Sequence, residues 1–540
     1  MLSLFHFYKL LRYCPSRELA LRSDGLSHLS DGKASHSIIF SKLLYKTQHV
    51  EVKYLLNDMK TQIKELERRA RKLELDAGDR TELIDKAKAY SERFLEDLPE
   101  KPAHVEAENR GRGVYKLLFG EDPRPFPQLL ELLDSEVDRP GLNPASGRHA
   151  GYIPGGGVYP SAVADFLAAV TNRYAGMFFT SPGAVRIENM CIRWMCNLVG
   201  YPGDAAGNLT SGGSIANLIG MVAARDDSGI RSRDFERAVI YTTHQVHHCV
   251  IKAIKFAGLR EATIREIEMD DRYRMNARSL REHIEADKRE GRIPLMVFAS
   301  AGTTDLGAVD PLDDIADIAR KHALWFHVDA AYGGFFLLTD HGREVMRGIS
   351  RSDSVTIDPH KGLFLPYGLG AVLVKEGEKL YASQHMSANY LQDTLKATEE
   401  YSPADLSPEL SKHFRGLRMW LPLQLLGIAP FRAALEEKLL LTRYCYKELR
   451  KIAGIEVGPE PELSILFFRY IPDSGDPNDF NKKLVDYIHR DGRIFLSSTH
   501  IDETIYVRMA LLNFRTHLEE VELMLDIIRE AICHVKKASS

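Results

Sequence analysis

Residues 354–361 are Ser-Val-Thr-Ile-Asp-Pro-His-Lys, and Gly-Leu-Phe-Leu-Pro-Tyr-Gly follows at 362–368. Val355 and Ile357 predict a short strand, and Pro359 ends it because proline has no backbone N–H to give to a sheet. Lys361 is then held at the mouth of that strand instead of on an exposed helix. A lysine held there is a candidate Schiff-base nucleophile, although a solvated surface lysine is the commoner case.

A second segment lies upstream, Leu-Trp-Phe-His-Val-Asp-Ala-Ala-Tyr-Gly-Gly at 324–334. It predicts a buried strand that ends on Asp329 and then on small residues. In an α/β sheet this acid would lie at the carboxyl edge. A carboxylate there can keep a proton on a pyridine nitrogen, and a lysine can form an imine with an aldehyde. Asp329 and Lys361 are therefore the pair that a pyridoxal phosphate site needs.

Two segments resemble the signatures of the group II pyridoxal-phosphate-dependent decarboxylases, the family of aromatic-amino-acid, histidine and glutamate decarboxylases. They are His-Val-Asp-Ala-Ala-Tyr-Gly-Gly at 327–334 and Asp-Pro-His-Lys at 358–361. From about Asp79 to the C-terminus, the order of motifs in this chain is similar to that in the decarboxylase family. The resemblance implies a type I, aspartate aminotransferase-like α/β fold, with a mostly parallel sheet in a large domain and a small C-terminal α/β domain. It also implies that the protein converts an L-amino acid to an amine and carbon dioxide.

The cofactor contacts follow from local pattern and from the resemblance. Residues 209–217, Leu-Thr-Ser-Gly-Gly-Ser-Ile-Ala-Asn, open a helix whose free N–H groups suit a phosphate dianion, although Gly-Gly-Ser is also a common helix cap. By resemblance, His247 stacks on the pyridine ring, and Thr304 lies beside the cofactor with Thr303 as the second candidate. The full set implied is Gly213, Ser214, His247, Thr304, Asp329, Ala331, Asp358, His360 and Lys361.

Three histidines, His244, His247 and His248, have the i, i+3 and i+4 spacing of metal ligands. No carboxylate or cysteine stands nearby at ligand spacing. We therefore predict no metal site, and the usual alternative is core or surface histidines.

Residues 147–157, Gly-Arg-His-Ala-Gly-Tyr-Ile-Pro-Gly-Gly-Gly, exclude regular structure and let the backbone approach a ligand, or else form a plain surface loop. In the family the matching stretch lines the substrate pocket. The resemblance thus implies a pocket wall made of Tyr152, Ile153, Pro154 and Gly155. Gly155 stands where the aromatic-amino-acid enzymes have threonine, which argues against an aromatic substrate. Arg415 or Arg418 could bind a substrate carboxylate or form structural salt bridges.

Residues 387–411 are polar and interrupted by proline, a composition typical of a mobile lid. In group II decarboxylases a lid tyrosine protonates the carbon that loses carbon dioxide, which implies Tyr401 as a catalytic residue beside Lys361, Asp329 and His247. A phenol of pKa about 10 is mostly protonated at neutral pH. An exposed surface tyrosine is the alternative, because the flanking residues do not match the family's lid motif closely.

The composition is that of a globular chain. The 540 residues are 44% hydrophobic and 27% charged, enough to bury large cores in two or three structural units. A net charge of -4 gives no basic field for nucleic acid, and no apolar run would span a membrane. The six cysteines are scattered without Cys-x-x-Cys spacing. We therefore expect a cytoplasmic protein with neither a nucleic-acid nor a membrane partner, and the resemblance implies a small-molecule amino-acid substrate. An organelle transit peptide up to about Phe40 is the alternative.

We expect four segments along the chain: an N-terminal extension at 1–78, disordered to about residue 43 and then helical, a helical and linker segment at 79–145, a large cofactor-binding domain at 146–425, and a small α/β domain at 426–540. The second helix, from Asp79 to about Leu98, resembles the family's segment that wraps the partner subunit. Residues 180–189 resemble its interface helix. These likenesses imply a homodimer with the active site at the subunit interface.

Other functions stay open at this point. The segment after Lys361 lacks the aromatic or methionine residue usual in group II enzymes and is similar to that of the sphingosine phosphate lyases, which cleave a carbon–carbon bond. A decarboxylation-coupled aldehyde synthase is a further alternative. A paralogue that only dimerises is disfavoured because Lys361, Asp329, His247 and the Gly-Gly-Ser turn are all present.

Overall fold

The structure, a computed structural model, describes residues 33–386 and 399–539. The chain divides into two compact units, Met1–Ala89 and Tyr90–Ser540. The helices are α1 Lys33–Ala70, α2 Ala77–Glu96, α3 Phe126–Leu133, α4 Tyr159–Thr171, α5 Pro182–Val199, α6 Gly213–Asp227, α7 His248–Phe256, α8 Ala277–Arg289, α9 Leu312–His322, α10 Asp340–Val345, α11 Pro359–Gly362, α12 Gly377–Gln384, α13 Arg415–Leu426, α14 Ala429–Leu449, α15 Pro477–Asp491 and α16 Leu518–Ser539. The strands are β1 His104–Val105, β2 Gly141–Leu142, β3 Ala206–Thr210, β4 Ala238–Thr242, β5 Thr263–Glu266, β6 Ile293–Ser300, β7 Trp325–Asp329, β8 Ser354–Ile357, β9 Gly370–Val374, β10 Ile455–Val457, β11 Ile465–Tyr470, β12 Ser497–Ile501 and β13 Thr504–Ala510.

The first helix begins earlier than its sequence pattern predicts. We expected a loose leader to about residue 43 and a helix from Ser41, but α1 starts at Lys33. The sequence has no glycine between Gly32 and Gly78 and no proline between Pro15 and Pro99, so nothing stops the helix from extending back to Lys33. The part of the predicted leader at 1–32 lies outside the described residues.

The larger sheet has the strand order β3-β9-β8-β7-β6-β4-β5. Strands β8, β7, β6, β4 and β5 pair in parallel, and β9 runs antiparallel to both β3 and β8. Helices between successive parallel strands give the mostly parallel α/β sheet that the alternation of patterns predicts.

Both faces of this sheet are covered by apolar side chains. On β7, Phe326 and Val328 belong to one buried cluster, and Trp325 belongs to the cluster on the other face. Because side chains alternate along a strand, a strand buried on both faces carries apolar residues at successive positions, as residues 324–326 do, and Val328 continues the pattern after the buried His327. The sheet is thus the middle of three layers.

The parallel arrangement gathers the carboxyl ends of the strands at one edge. Strands β6, β7 and β8 end at Ser300, Asp329 and Ile357, each just before or at a candidate site residue. Strand β3, separated from β8 by the reversed β9, points the same way and leads into α6. Open α/β sheets bind ligands at this edge.

A smaller antiparallel sheet, of order β10-β11-β13-β12, packs with α15 and α16 around its own apolar cluster. The division of the chain at residues 146 and 426 stays a prediction. Among the described residues, no helix combines the length and the apolar character that crossing a membrane requires.

Asp310 does not cap α9 as its position before Pro311 suggests. Its buried carboxylate accepts hydrogen bonds from the N–H groups of Met275 and Ser300, at 2.7 Å each, and burial raises its pKa to about 6. The acid therefore ties the end of β6 at Ser300 to the loop before α8 at Met275.

Candidate active site

A cavity of about 350 Å³ opens at the carboxyl edge of the larger sheet. That volume falls in the range of roughly 300–1,000 Å³ that is usual for small-molecule sites. All nine residues predicted as cofactor contacts line this one cavity. The complete lining is Ser211, Gly212, Gly213, Ser214, Asn217, His247, Cys249, Thr304, Asp329, Ala331, Asp358, His360, Lys361, Tyr367 and Gly368.

Lys361 lies on the short helix α11, which Pro359 begins directly after β8. Its Nζ is 3.0 Å from Asp358 Oδ2, and 19% of its side chain is exposed. Burial opposes the charge on the amine, but the nearby carboxylates of Asp358 and Asp329 outweigh it and raise the pKa of Lys361 above its usual value. Lys361 therefore lies at the cavity as an ammonium group paired with the carboxylate of Asp358.

Asp358 is enclosed on all sides. Its side chain is 2% exposed, and its Oδ1 has no hydrogen-bond partner among the described residues. A Cβ on Gly213 would lie 3.0 Å from Asp358 Oδ2, and one on Gly370 would lie 2.5 Å from Oδ1. Glycine at 370 is therefore needed for β9 to begin against this acid, and Gly213 lets the first turn of α6 approach it closely.

Asp329 ends β7 and accepts one hydrogen bond on each carboxylate oxygen. Asn217 Nδ2 donates to Oδ2 at 2.9 Å, and the N–H of Ala331 donates to Oδ1 at 3.0 Å. Each oxygen keeps a further lone pair, so the acid can accept a proton donor from the cavity. Asn217 was not among the predicted site residues, although it stands one helical turn after Gly213.

Helix α6 begins at Gly213, so the N–H groups of Gly213 and Ser214 precede its i→i−4 hydrogen bonds, and both residues line the cavity. Ser211 and Ser214 add hydroxyls beside them. A 15-residue helix that starts with free N–H groups and a positive dipole end favours a bound phosphate.

His247 caps the start of α7, where its Nδ1 accepts a hydrogen bond from the N–H of Cys249 at 3.3 Å. Burial is the main reason that the pKa of His247 lies below its usual value. His244 and His248 are exposed and are not among the lining residues. In the part of the chain that the structure describes, no group of side chains has the arrangement of a metal site.

The two threonines after β6 differ in their surroundings. Thr304 lines the cavity, while the Thr303 hydroxyl is used within the turn and accepts from the N–H of Ala308 at 3.1 Å. Arg508, on β13, fixes this turn by donating to the carbonyl oxygens of Thr304 and Tyr152, at 2.5 and 2.9 Å. The smaller sheet therefore helps to position the site.

Tyr367 is a lining residue that the sequence did not indicate. It follows Pro366 in the loop after Lys361, and its ring centroid lies 5.8 Å from that of His360. Burial raises the pKa of its phenol, and the positive charge on Lys361 opposes that rise. A protonated phenol is thus available at the cavity mouth.

The predicted substrate residues are divided. Gly155 lines a neighbouring cavity of about 310 Å³, which shares His360 and Tyr367 with the first. Tyr152 is exposed and Ile153 packs into the main apolar cluster. Neither Tyr152, Ile153 nor Pro154 lines either cavity in the single chain, so their contact with substrate stays a prediction.

The two candidate arginines form the salt bridges that were the alternative. Arg415 binds Glu409 through both terminal nitrogens, at 2.8 and 3.0 Å. Arg418 pairs with Asp165 at 2.7 Å and donates to the carbonyl oxygen of Tyr367.

Tyr401 does not line the cavity of its own chain. It is 45% exposed, and its ring lies 5.6 Å from that of Tyr381. The N-terminal part of the predicted lid, 387–398, lies outside the described residues. A catalytic contribution of Tyr401 therefore stays a prediction.

The donor set of the cavity fits a pyridoxal phosphate. Lys361 offers an amine for its aldehyde, Asp329 an acceptor for a ring N–H, and the start of α6 the N–H groups for a phosphate. With a mostly parallel sheet that presents these groups at its carboxyl edge, the protein has the fold and site of a type I pyridoxal-phosphate-dependent enzyme.

Comparison with known proteins gives the family. Residues 135–471 match the model of the pyridoxal-dependent decarboxylase conserved domain. An aromatic-L-amino-acid decarboxylase of Bacillus atrophaeus is 36% identical, covering 76% of this chain and 85% of that protein. The acidic amino acid decarboxylase GADL1 of Xenopus tropicalis is 30% identical, covering 70% and 75%.

The fold is shared with solved enzymes as well. The Oryza sativa TDC structure with PLP and tryptamine superimposes with a TM-score of 0.80 at 23% identity, covering 85% of this chain and 99% of that one. The chain therefore belongs to the pyridoxal-dependent decarboxylase family, and pyridoxal phosphate is its cofactor. The family, fold and cofactor predicted from the two signature segments are confirmed.

Proposed function

We propose that this protein removes the carboxylate of an L-amino acid as carbon dioxide and releases the corresponding amine. The observation that supports the proposal is the convergence of Lys361, Asp329 and the start of α6 on one cavity. A cofactor bound there would have its aldehyde, ring nitrogen and phosphate each matched by a group of suitable chemistry.

Each residue has a defined part in this proposal. Lys361 would hold the cofactor through its side-chain amine. Asp329 keeps a proton on the ring nitrogen, since a nearby anion favours the protonated form. When bound, the cofactor supplies an electron sink for the bond to the departing carboxylate. His247 provides a flat ring against which the cofactor stacks.

The reaction ends when a proton reaches the carbon that has lost carbon dioxide. We assign this proton to Tyr401, as the resemblance implies. Tyr367 is the second candidate, because it lines the cavity of Lys361 and is held by Arg418 through its own carbonyl oxygen.

The side chain of the substrate would enter the neighbouring cavity that Gly155 lines. Its wall is mostly apolar, with Phe94, Leu142 and Leu365, but it also contains the carboxylate of Asp138. Tyr90 already donates a hydrogen bond to that carboxylate. An apolar wall with one acid favours a side chain with an apolar stem and a donor at its tip, and disfavours a second carboxylate.

We also propose that the enzyme is a cytoplasmic homodimer. The likeness of residues 180–189 to the family's interface helix supports the dimer, and the scattered cysteines support a reducing compartment. Light scattering on the eluted protein would test the dimer, and a monomer that turns over substrate would refute it.

Product analysis tests the proposed function. The purified protein, loaded with cofactor, is given carboxyl-labelled amino acids of aromatic, acidic and basic type, with Lys361→Ala as the inactive control. We expect labelled carbon dioxide and an equal amount of amine from an amino acid that is not acidic. An aldehyde in place of the amine would indicate an aldehyde synthase. A fatty aldehyde with phosphoethanolamine from a phosphorylated amino alcohol would indicate a lyase.

A further inference from the structure

Behind Asp329, side chains from β7, β8 and α6 form a continuous hydrogen-bonded chain, the relay, made of Trp325, Ser354, His327, Asn217 and Asp329. Trp325 Nε1 is 2.8 Å from Ser354 Oγ, which is 2.7 Å from His327 Nδ1. His327 Nε2 is 3.0 Å from Asn217 Oδ1. Asn217 Nδ2 is 2.9 Å from Asp329 Oδ2. Of these five residues, only Asp329 needs to contact the cofactor.

The local structure explains why these side chains meet. Trp325, His327 and Asp329 alternate along β7 and therefore project from the same face. Ser354 stands opposite His327 in the register of β7 and β8. Asn217 comes from α6, one turn after Gly213.

A glycine on α6 makes room for the histidine. A Cβ on Gly220 would lie 2.9 Å from His327 Cε1 and 3.0 Å from Nδ1. Gly220 follows Asn217 by three residues, so both lie on the helix face that packs on the sheet. The same helix thus serves the phosphate end of the site at Gly213 and the relay at Asn217.

Both ends of the relay fix the direction of its hydrogen bonds. The indole N–H of Trp325 can only donate, and an ionised Asp329 can only accept. Asn217 must therefore turn its amide nitrogen to Asp329 and its oxygen to His327. His327 must in turn donate from Nε2, which leaves Nδ1 to accept the hydroxyl proton of Ser354.

The surroundings of His327 support this arrangement. The ring is fully buried, and burial lowers its pKa to about 4, so the ring is neutral at pH 7 with a single N–H. Phe298 packs against it with ring centroids 4.4 Å apart. A neutral, buried ring is suited to fixing the orientation of its neighbours rather than to carrying a proton to or from the cofactor.

We propose that Trp325, Ser354, His327 and Asn217 are positioning residues that lock one tautomer of His327 and so hold the Asp329 carboxylate in the orientation that binds the ring nitrogen of the cofactor. The proposal rests on the function proposed for Asp329. It extends the site by three side chains that do not line the cavity, Trp325, Ser354 and His327.

Ser354 is the position at which the relay can be broken without altering the cavity. In Ser354→Ala the hydroxyl proton that holds His327 in the Nε2–H form is gone. Only the Asn217 amide then still favours the Nε2–H form, and a turn of that amide, which gives up its hydrogen bond to Asp329 Oδ2, lets the proton of His327 move to Nδ1. Ser354→Thr keeps the hydroxyl and is the conservative rescue.

Ser352→Ala is the matched control. Ser352 is equally buried, and its hydroxyl also has an aromatic partner, the Tyr201 hydroxyl at 2.7 Å. It has no link to Asp329 through the relay. Loss of stability from an empty buried hydroxyl site is therefore common to both alanine variants, and loss of orientation is specific to Ser354→Ala.

The decisive measurement is nitrogen NMR of the full-length enzyme labelled in its histidine rings, with His327→Gln to assign the signal. We expect the Nε2–H form of His327 in the wild type, in Ser352→Ala and in Ser354→Thr, and its loss or mixture with the other tautomer in Ser354→Ala. An unchanged Nε2–H signal in Ser354→Ala would contradict the proposal that Ser354 helps to fix the tautomer of His327.

Two further measurements test whether the tautomer of His327 affects cofactor binding and turnover. Relative to Ser352→Ala, we expect Ser354→Ala to release bound pyridoxal phosphate faster and to lose about ten- to a hundredfold in kcat, the size of loss seen when outer hydrogen-bond partners of a metal site are removed. Equal effects in the two variants would show that the relay contributes only packing and does not orient Asp329. The NMR result stands whether or not decarboxylation proves to be the reaction, so the failure of one proposal can be told from failure of the other.

Discussion

Lys361 Nζ lies 3.0 Å from Oδ2 of Asp358, an acid three residues earlier in the same turn. Because Asp358 is buried, the contact is a charge pair shielded from water, and it holds the pKa of Lys361 above its usual value. A protonated amine cannot attack an aldehyde. The pair therefore stabilises the free enzyme while slowing its reaction with the cofactor.

Replacing Asp358 by asparagine should reverse that balance. In Asp358→Asn the amide can still accept a hydrogen bond, but the carboxylate that favours the ammonium is gone, so the pKa of Lys361 falls. We expect the apoprotein of this variant to react with pyridoxal phosphate faster at neutral pH, with the rise of its rate against pH displaced to lower pH. Stopped-flow absorbance would follow the reaction. A slower reaction with an unmoved pH profile would contradict the assignment.

Asp329→Ala tests the proton on the ring nitrogen. The phosphate contacts at α6 remain, so this variant should keep some cofactor yet lose turnover by several powers of ten. Ser214→Ala is the contrasting change. It should weaken cofactor binding by roughly 1.5 to 3 kcal/mol, the value of a hydrogen bond to a charged group, and recover turnover at high cofactor concentration. Near-normal turnover in Asp329→Ala would remove it from the chemistry.

The sequence predicted those parts of the fold that local pattern controls. The apolar run before Asp329 and the Pro359 after Ile357 were enough to place two strand ends, because burial and a missing N–H act on neighbouring residues. Lys361 and Asp329 then had to share an edge, since parallel strands bring their carboxyl ends together. The start of α1 was misplaced because it depends on the absence of helix breakers rather than on a periodic pattern.

Contacts made across the fold could not be predicted in the same way. Asn217 and Tyr367 enter the site because a helix and a loop distant in sequence from Asp329 pack against it, and neither residue type indicates this on its own. The sequence showed that Gly155 replaces the threonine of the aromatic-amino-acid enzymes, but it did not show why. A Cβ on Gly155 would lie 2.4 Å from the carbonyl oxygen of His360, so glycine there is a steric need of this chain.

Gly155→Ala should therefore disturb the lysine loop. The added methyl group meets backbone and cannot be accommodated by a side-chain movement, so we expect a loss of about 1–3 kcal/mol in the free energy of unfolding and weaker cofactor binding. Gly120→Ala is the control, because a Cβ there meets nothing within 4 Å. Urea midpoints and cofactor titrations would compare the two. Equal stability of the two variants would mean that the loop can yield at no cost.

His327 should make the protein less stable in mild acid. Its pKa is about 4 in the folded protein and 6.5 when unperturbed, so between these values the unfolded chain binds the proton and the folded chain does not. The free energy of unfolding therefore falls as the pH falls through this window, by about 2 kcal/mol at pH 5 from this residue alone. Urea midpoints at pH 7 and pH 5 should differ less in His327→Gln than in the wild type. An equal difference in both would show that His327 does not stay neutral.

The acid that ends the reaction can be assigned by comparing two phenylalanine variants. Tyr401 lies on the predicted lid and is 45% exposed, whereas Tyr367 lines the cavity of Lys361. General acid catalysis contributes typically 10²–10⁴-fold, so loss of the true donor is easily seen. We expect Tyr401→Phe to bind cofactor and substrate normally but to release amine at least about a hundredfold more slowly, with aldehyde formed in its place under oxygen.

Tyr367→Phe serves as the matched control, since it also removes one phenol hydroxyl, the one at the cavity mouth, and leaves Tyr401 intact. We expect it to keep most of its amine formation. The informative measurement is the ratio of amine to carbon dioxide, because a missing proton donor lowers amine release after carbon dioxide has left, whereas a disturbed binding site lowers both together. A ratio that falls in Tyr367→Phe and stays near one in Tyr401→Phe would transfer the acid to Tyr367. If the ratio stays near one in both, neither phenol donates the proton, and His247, whose ring lines the same cavity, becomes the next residue to replace.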